Sequence, residues 1–158
     1  MLWRTHMKKL ILTSLFASAM ITTAHAATET STFEVSAEVA ASCQITTNPL
    51  AFGAFDPSVG TSGTATLDVA CTSGSSGVVT LASANTWTMI DGAETLAYGL
   101  FTDAGHATVW DGTTVGQTVT GAGLSTPTSF TVHGNIEPQP AAKVSAAYAD
   151  TVTVTVTY

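Results

Sequence analysis

An all-β sandwich is the fold this sequence predicts, and three observations predict it. Short runs of alternating apolar and polar residues recur at roughly 8–12-residue spacing, with Gly, Pro, Asp and Ser between them. The chain is rich in Thr, Ser, Gly, Ala and Val and only 9% charged, so it lacks the Glu, Lys and Arg content that favours helices. Its two cysteines fall in strand-like runs on matching parity: Cys43 with Val39 and Ile45, Cys71 with Ala65, Leu67 and Val69.

The first run, Phe33 to Ile45, places an apolar or small residue at every odd position. Thirteen extended residues span roughly 43 Å, against a usual strand of about 5–6 residues, so part of this ribbon is expected to serve another molecule. Leu50 to Phe55 reads as a short aromatic strand ended by Asp56-Pro57 and a turn-rich stretch to Gly63. Thr64 to Thr72 alternates cleanly, and Ser73 to Gly77 reads as loop. Val78 to Leu81 and Trp87 to Ile90 follow, with Asp91-Gly92 as a hairpin signal leading into a strand from Leu96 to Phe101. Asp103 to Gly105 turns the chain toward Val109-Trp110, Asp111-Gly112 turns it again, and Thr114 to Thr120 is a weaker strand before a loop to Thr128. Phe130 to Ile136 carries its apolar side on even positions, and Pro138 and Pro140 break it. Val152 to Tyr158 has one Val/Tyr face and one Thr face.

Residues 1–26 have a basic start (Arg4, Lys8, Lys9), an apolar stretch from Leu10 to Ile21 and the small exit Ala24-His25-Ala26, and read as a secretory signal cleaved after Ala26. At about 12 residues the apolar stretch is short of the roughly 20 that cross a bilayer, and no membrane span is expected in the mature chain. Cleavage leaves 132 of the 158 residues, enough for one domain, with Lys143 as the only cation against all 11 acidic residues, a formal −10. Nucleic acid, anionic lipid and phosphorylated ligands need a cationic patch that one lysine cannot supply. In an oxidising compartment the two cysteines point to one disulfide, Cys43 to Cys71, which closes a loop of about 28 residues and removes chain entropy worth about 3.5 kcal/mol.

No catalytic, metal or cofactor chemistry emerges. His106 and His133 remain after cleavage, and His133 has outward parity on its strand. The acids have neither EF-hand spacing nor a carboxylate–histidine cluster, and no Gly-x-Ser-x-Gly elbow surrounds a serine. The expectation is therefore no enzyme and no cofactor. Trp87 and Trp110 fit either a sugar-stacking surface or the sandwich core, with the core favoured.

An ordered set of motifs resembles the spore coat protein U family, which includes the pilin subunits of archaic chaperone–usher pili. It comprises Cys43 followed by Phe52-Gly53-x-Phe55-Asp56, then Val69-x-Cys71-Thr72, Leu96-x-Tyr98-x-Leu100-Phe101, Val132-His-Gly134-Asn-Ile136, and Tyr148-x-Asp150 running into the Thr/Val strand to Tyr158. Ala147 departs from the pattern, where a glycine is expected before the tyrosine. The resemblance implies an immunoglobulin-like sandwich lacking its final strand. A periplasmic chaperone would fill the gap first, and the N-terminal extension of the next subunit, a copy or a sibling pilin delivered by an outer-membrane usher, would fill it permanently. On that basis residues 27–40 are the donated extension, with Phe33, Val35, Ala37 and Val39 as apolar plugs, and residues 41–158 are the domain. Val152, Val154, Val156 and Tyr158 would border the open groove. The implied role is a secreted surface fibre supporting adhesion or biofilm. A spore-coat or surface-matrix protein of the same fold, or a sugar-binding adhesin, is the alternative.

Overall fold

A computed structural model describes residues 26–113 and 116–158. The expected leader lies outside the described residues apart from Ala26. Two units make up the chain, Met1–Ala37 and Glu38–Tyr158. In the first, residues 26–37 are exposed and form neither helix nor strand.

The second unit is all β, with nine strands among the described residues: β1 (Cys43–Thr47), β2 (Thr61–Cys71), β3 (Ser76–Ser83), β4 (Thr88–Asp91), β5 (Glu94–Ala97), β6 (Gly99–Phe101), β7 (Gln117–Thr120), β8 (Thr128–Ile136) and β9 (Val152–Thr157). They form a four-stranded sheet in the order β1-β2-β8-β6, a three-stranded sheet in the order β7-β3-β9, and the β4-β5 hairpin. Every pairing is antiparallel. Alternation explains the layers: Leu67, Val69 and Cys71 of β2, Leu100 of β6 and Val132 of β8 meet Val79 and Leu81 of β3 and Val119 of β7 in one buried core. Trp110 ties the layers together, its indole N–H donating to the Val79 carbonyl at 3.2 Å and its ring meeting Phe130 edge-on at 6.1 Å. It fills the core, as favoured above. This is the immunoglobulin-like sandwich architecture that the motifs implied.

The long N-terminal alternation pairs only over β1. Thr72 marks where pairing begins: its N–H donates to the Ser42 carbonyl at 2.9 Å, and its Oγ1 accepts from the Ser42 N–H at 3.1 Å. Alternation supplies a strand with a face but not with a hydrogen-bonding neighbour, so residues 26–42 stay outside any ladder.

Two expected strands change. Leu50 to Phe55 is loop, not strand. The Asn48 N–H still reaches the Thr66 carbonyl at 3.0 Å, but Pro49 has no N–H to continue the ladder. Leu50 and Phe52 rest instead on a notch where Gly63 of β2 pairs with Gly134 of β8. A Cβ on Gly134 would lie 2.8 Å from both side chains. Leu96 to Phe101 is split at Tyr98, because the N-terminal half pairs with β4 and the C-terminal half with β8. Val109 makes a lone bridge to Phe101. The Asp91-Gly92 signal holds, with Gly92 at φ 61° in the first loop position, as a type II′ hairpin turn requires. The weaker strand from Thr114 is seen over Gln117–Thr120, and its first two residues lie outside the described ones.

Candidate functional site

The outermost strands β1 and β9, one from each sheet, stand beside an open cleft of about 520 Å³. Its floor is the core itself, Leu67, Leu81, Leu100 and Val132. One wall is the chain leaving β1, from Thr47 to Leu50 with Phe52; the other is Tyr148 to Asp150 with Val152 and Val154 of β9. One wall continues an edge strand and the other leads into one. Among the described residues β1 pairs only with β2, and β9 only with β3. Edge strands leave backbone N–H and C=O groups without a ladder partner.

Side-chain exposure along β1 and β9 reflects the opening. Ile45 lies opposite Val69 in the ladder and shares its face, yet it is 39% exposed where Val69 is 1%. Val152, Val154 and Val156 point toward the core but remain half-buried, while the alternating threonines are exposed. A sandwich closed on this side would cover all four apolar residues. A second hollow of about 670 Å³ adjoins the cleft through Leu50, Phe52, Met89 and Tyr148.

The wall before β9 is fixed by one carboxylate. Asp150 Oδ2 accepts from the Ser83 hydroxyl at 2.5 Å and the Tyr98 hydroxyl at 2.6 Å, and Oδ1 accepts from Asn85 Nδ2 at 2.9 Å and the Thr151 N–H at 2.7 Å. Ser83 Oγ in turn accepts the N–H groups of Asn85 and Trp87 at 3.1 and 2.7 Å. These bonds hold the turn in which Thr86 and Trp87 sit at φ 54° and 59°, a left-handed conformation that is costly for such side chains. Burial alone would push the Asp150 carboxyl up. The bonds from Ser83, Tyr98, Thr151 and Asn85 outweigh it and hold the group below the usual carboxylate range. Burial, reinforced by Asp150, pushes the Tyr98 phenol well up.

A family model, that of the Spore Coat Protein U domain, matches residues 29–155. The chain belongs to the spore coat protein U family. No curated protein matches it. The family is one of structural, pilin-type domains, and in this spore coat protein U domain the cleft is lined by core side chains.

Among the described residues, those proposed as disulfide, groove edge and donated extension are placed as follows. Cys43 and Cys71 are bonded, directly opposite one another in the β1–β2 ladder with Cα atoms 4.1 Å apart. Val152 and Val154 line the cleft, Val156 continues their face, and Tyr158 is exposed. Phe33, Val35 and Val39 are 86%, 82% and 81% exposed, and Ala37 is exposed beside them. His133 is half-buried on the outward face of β8, and Trp87 is half-buried with its ring T-shaped against Tyr98 at 6.0 Å. The sequence reading missed the Asp150 network and the role of Leu50 and Phe52 as a cleft wall. The signal for the latter was Pro49 ahead of them, together with glycines in two neighbouring strands.

A pH dependence follows from Tyr98. Folding raises its pKa, so its contribution is complete below the unfolded value of about 10 and is lost as pH rises toward the folded one. Asp150 works in reverse: its contribution is present above about pH 4 and fades as pH falls through its lowered folded value. Tyr98→Phe is expected to cost about 1–2 kcal/mol at pH 7 and to flatten the decline of the melting temperature above pH 10. Thermal unfolding followed by circular dichroism from pH 7 to 12 checks this. An equally steep decline in Tyr98→Phe would remove Tyr98 as its source.

Proposed function

We propose that the chain is a structural subunit of a surface fibre assembled by strand exchange. Residues 27–40 of one subunit enter the cleft of the next, with Phe33, Val35, Ala37 and Val39 as plugs and the free edge of β9 supplying main-chain hydrogen bonds. The observation that carries this reading is a pair of incomplete features on one chain. One is a cleft whose lining includes Val152 and Val154 of β9, left only half-buried; the other is an unpaired segment whose large apolar side chains are more than four-fifths exposed. Each lacks what the other offers.

The leader would deliver the chain to the periplasm. There a chaperone strand occupies the cleft before assembly, and an outer-membrane usher exchanges it for the extension of the incoming subunit. The result is a cell-surface fimbrium acting in attachment or biofilm. The partners are thus a periplasmic pilus chaperone, an usher, and further copies or sibling pilins. No cofactor enters this scheme.

Deleting residues 27–36 separates donating from receiving. The shortened subunit keeps β1, the disulfide and the cleft, so it is expected to fold with its chaperone, to accept an extension and to terminate growth. Co-expression with the unaltered chain should then shorten fibres in proportion to its share, as read by electron microscopy. Normal fibres made from the deleted protein alone would rule out strand donation and leave the surface-coat reading.

A further inference from the structure

Among the described residues, the outward face of the β7-β3-β9 sheet carries no charged side chain, in a chain whose residues after the expected leader sum to −10. Cross-strand register sets Thr118, Val78 and Thr157 in one row and Thr80 beside Thr155 in the next, with Thr153 continuing the β9 column. Val78 is 41% exposed at the centre of the face, surrounded by threonine methyl and hydroxyl groups. An apolar centre with an uncharged polar surround is the composition of an interface core.

We infer that this face joins fibres side by side, with a second copy of the same face as its partner; the inference rests on the strand-exchange reading above. Charge selects the partner. Two copies of so acidic a chain repel one another except where their surfaces are neutral, and a face that packs on itself needs no other complement. Size selects the setting. Six residues of three strands cover about 20 by 14 Å, or about 280 Å², well below the roughly 800 Å² per partner of a stable complex. Single subunits therefore stay apart, while a fibre repeating the face at every joint accumulates enough contact to hold a neighbour. A strand donated beside β9 with Phe33 and Val35 inward extends this face by Glu34, Ser36 and Glu38. The neutral centre thus gains an acidic border, which salt screens.

Three preparations test this: unaltered fibres, fibres carrying Thr118→Asp with Thr155→Asp, and fibres carrying Glu34→Gln with Glu38→Gln. The first should bundle more as salt rises from about 0.02 to 0.5 M. The second should form fibres of normal length with the bundled fraction reduced at least tenfold, and the third should bundle already at low salt. Subunits lacking residues 27–36, held with chaperone, should sediment as single heterodimers throughout. The glutamine pair lies outside the folded sheets, so it remains informative if the aspartates impair folding. Unaltered fibres that stay single at all salts, or Asp-substituted fibres that bundle normally, overturn side-by-side joining alone. Failure of the unaltered chain to form any fibre overturns strand exchange and side-by-side joining together.

Discussion

Replacing Phe33 or Val35 by Asp is expected to abolish fibre growth while leaving the subunit folded with its chaperone. Both side chains are almost fully exposed on a segment outside every sheet, so neither substitution removes a contact that holds the domain together. In the proposed joint the cost is large. Burying one such side chain contributes about 1.5–3 kcal/mol, and an unpaired carboxylate against the Leu67, Leu81, Leu100 and Val132 floor adds several more. At about 1.4 kcal/mol per tenfold, a single substitution weakens each joint by at least a hundredfold or so, and a fibre needs every joint. Glu34, Ser36 and Glu38 stand on the opposite parity and should tolerate exchange without loss of growth. Electron microscopy and heat-resistant ladders on gels report the outcome. Fibres of normal length from Phe33→Asp and Val35→Asp proteins would show that the segment does not plug a neighbour.

The contrast between these two parts of the chain also explains what could be read before the fold was known. Period-two alternation located β2, β3, β8 and β9 because each buries one face and shows the other, which is the condition under which the pattern carries information. The same alternation over Phe33 to Ile45 marked a ribbon longer than one strand needs but not where pairing begins, and only β1 has a neighbour. A strand completed by another molecule and a strand completed within the chain look alike in sequence. Leu50 to Phe55 failed for a different reason: its fate depends on the Gly63–Gly134 notch, formed by residues 13 and 84 positions beyond Leu50 that no local pattern connects. The split at Tyr98 is likewise tertiary, set by which neighbour each half finds and by the hydroxyl bond to Asp150, 52 residues away. The cleft was legible only through the family motifs. Its lining is ordinary core sequence, and what makes it a cleft is that β1 and β9 each have a single neighbour among the described residues.

Cys71→Ala is expected to lower stability by about 2–5 kcal/mol and, for a domain of this size, the melting temperature by about 8–20 °C. Part of the loss is chain entropy, because the bond to Cys43 closes a 28-residue separation in the unfolded chain. Another part is packing, since Cys71 is 1% exposed among Val69, Val79 and Val119. The functional consequence follows from where the bond lies. It fastens the first residue of β1, an edge strand of five residues whose other end, Thr47, begins the cleft wall. With the staple gone, β1 is held by its ladder to β2 alone, and fraying from Cys43 spreads toward Ile45 and Thr47. The cleft then widens on the side that, in the proposed joint, grips the incoming strand. Assembled fibre should therefore fall more steeply than folded subunit when Cys71→Ala is compared with the unaltered chain at equal chaperone. Peptide mapping without reductant establishes the bond first: free alkylation of both thiols in periplasmic material would refute it. If melting temperature falls while the ratio of fibre to folded subunit is unchanged, the disulfide serves stability only and the coupling of β1 to the cleft is wrong.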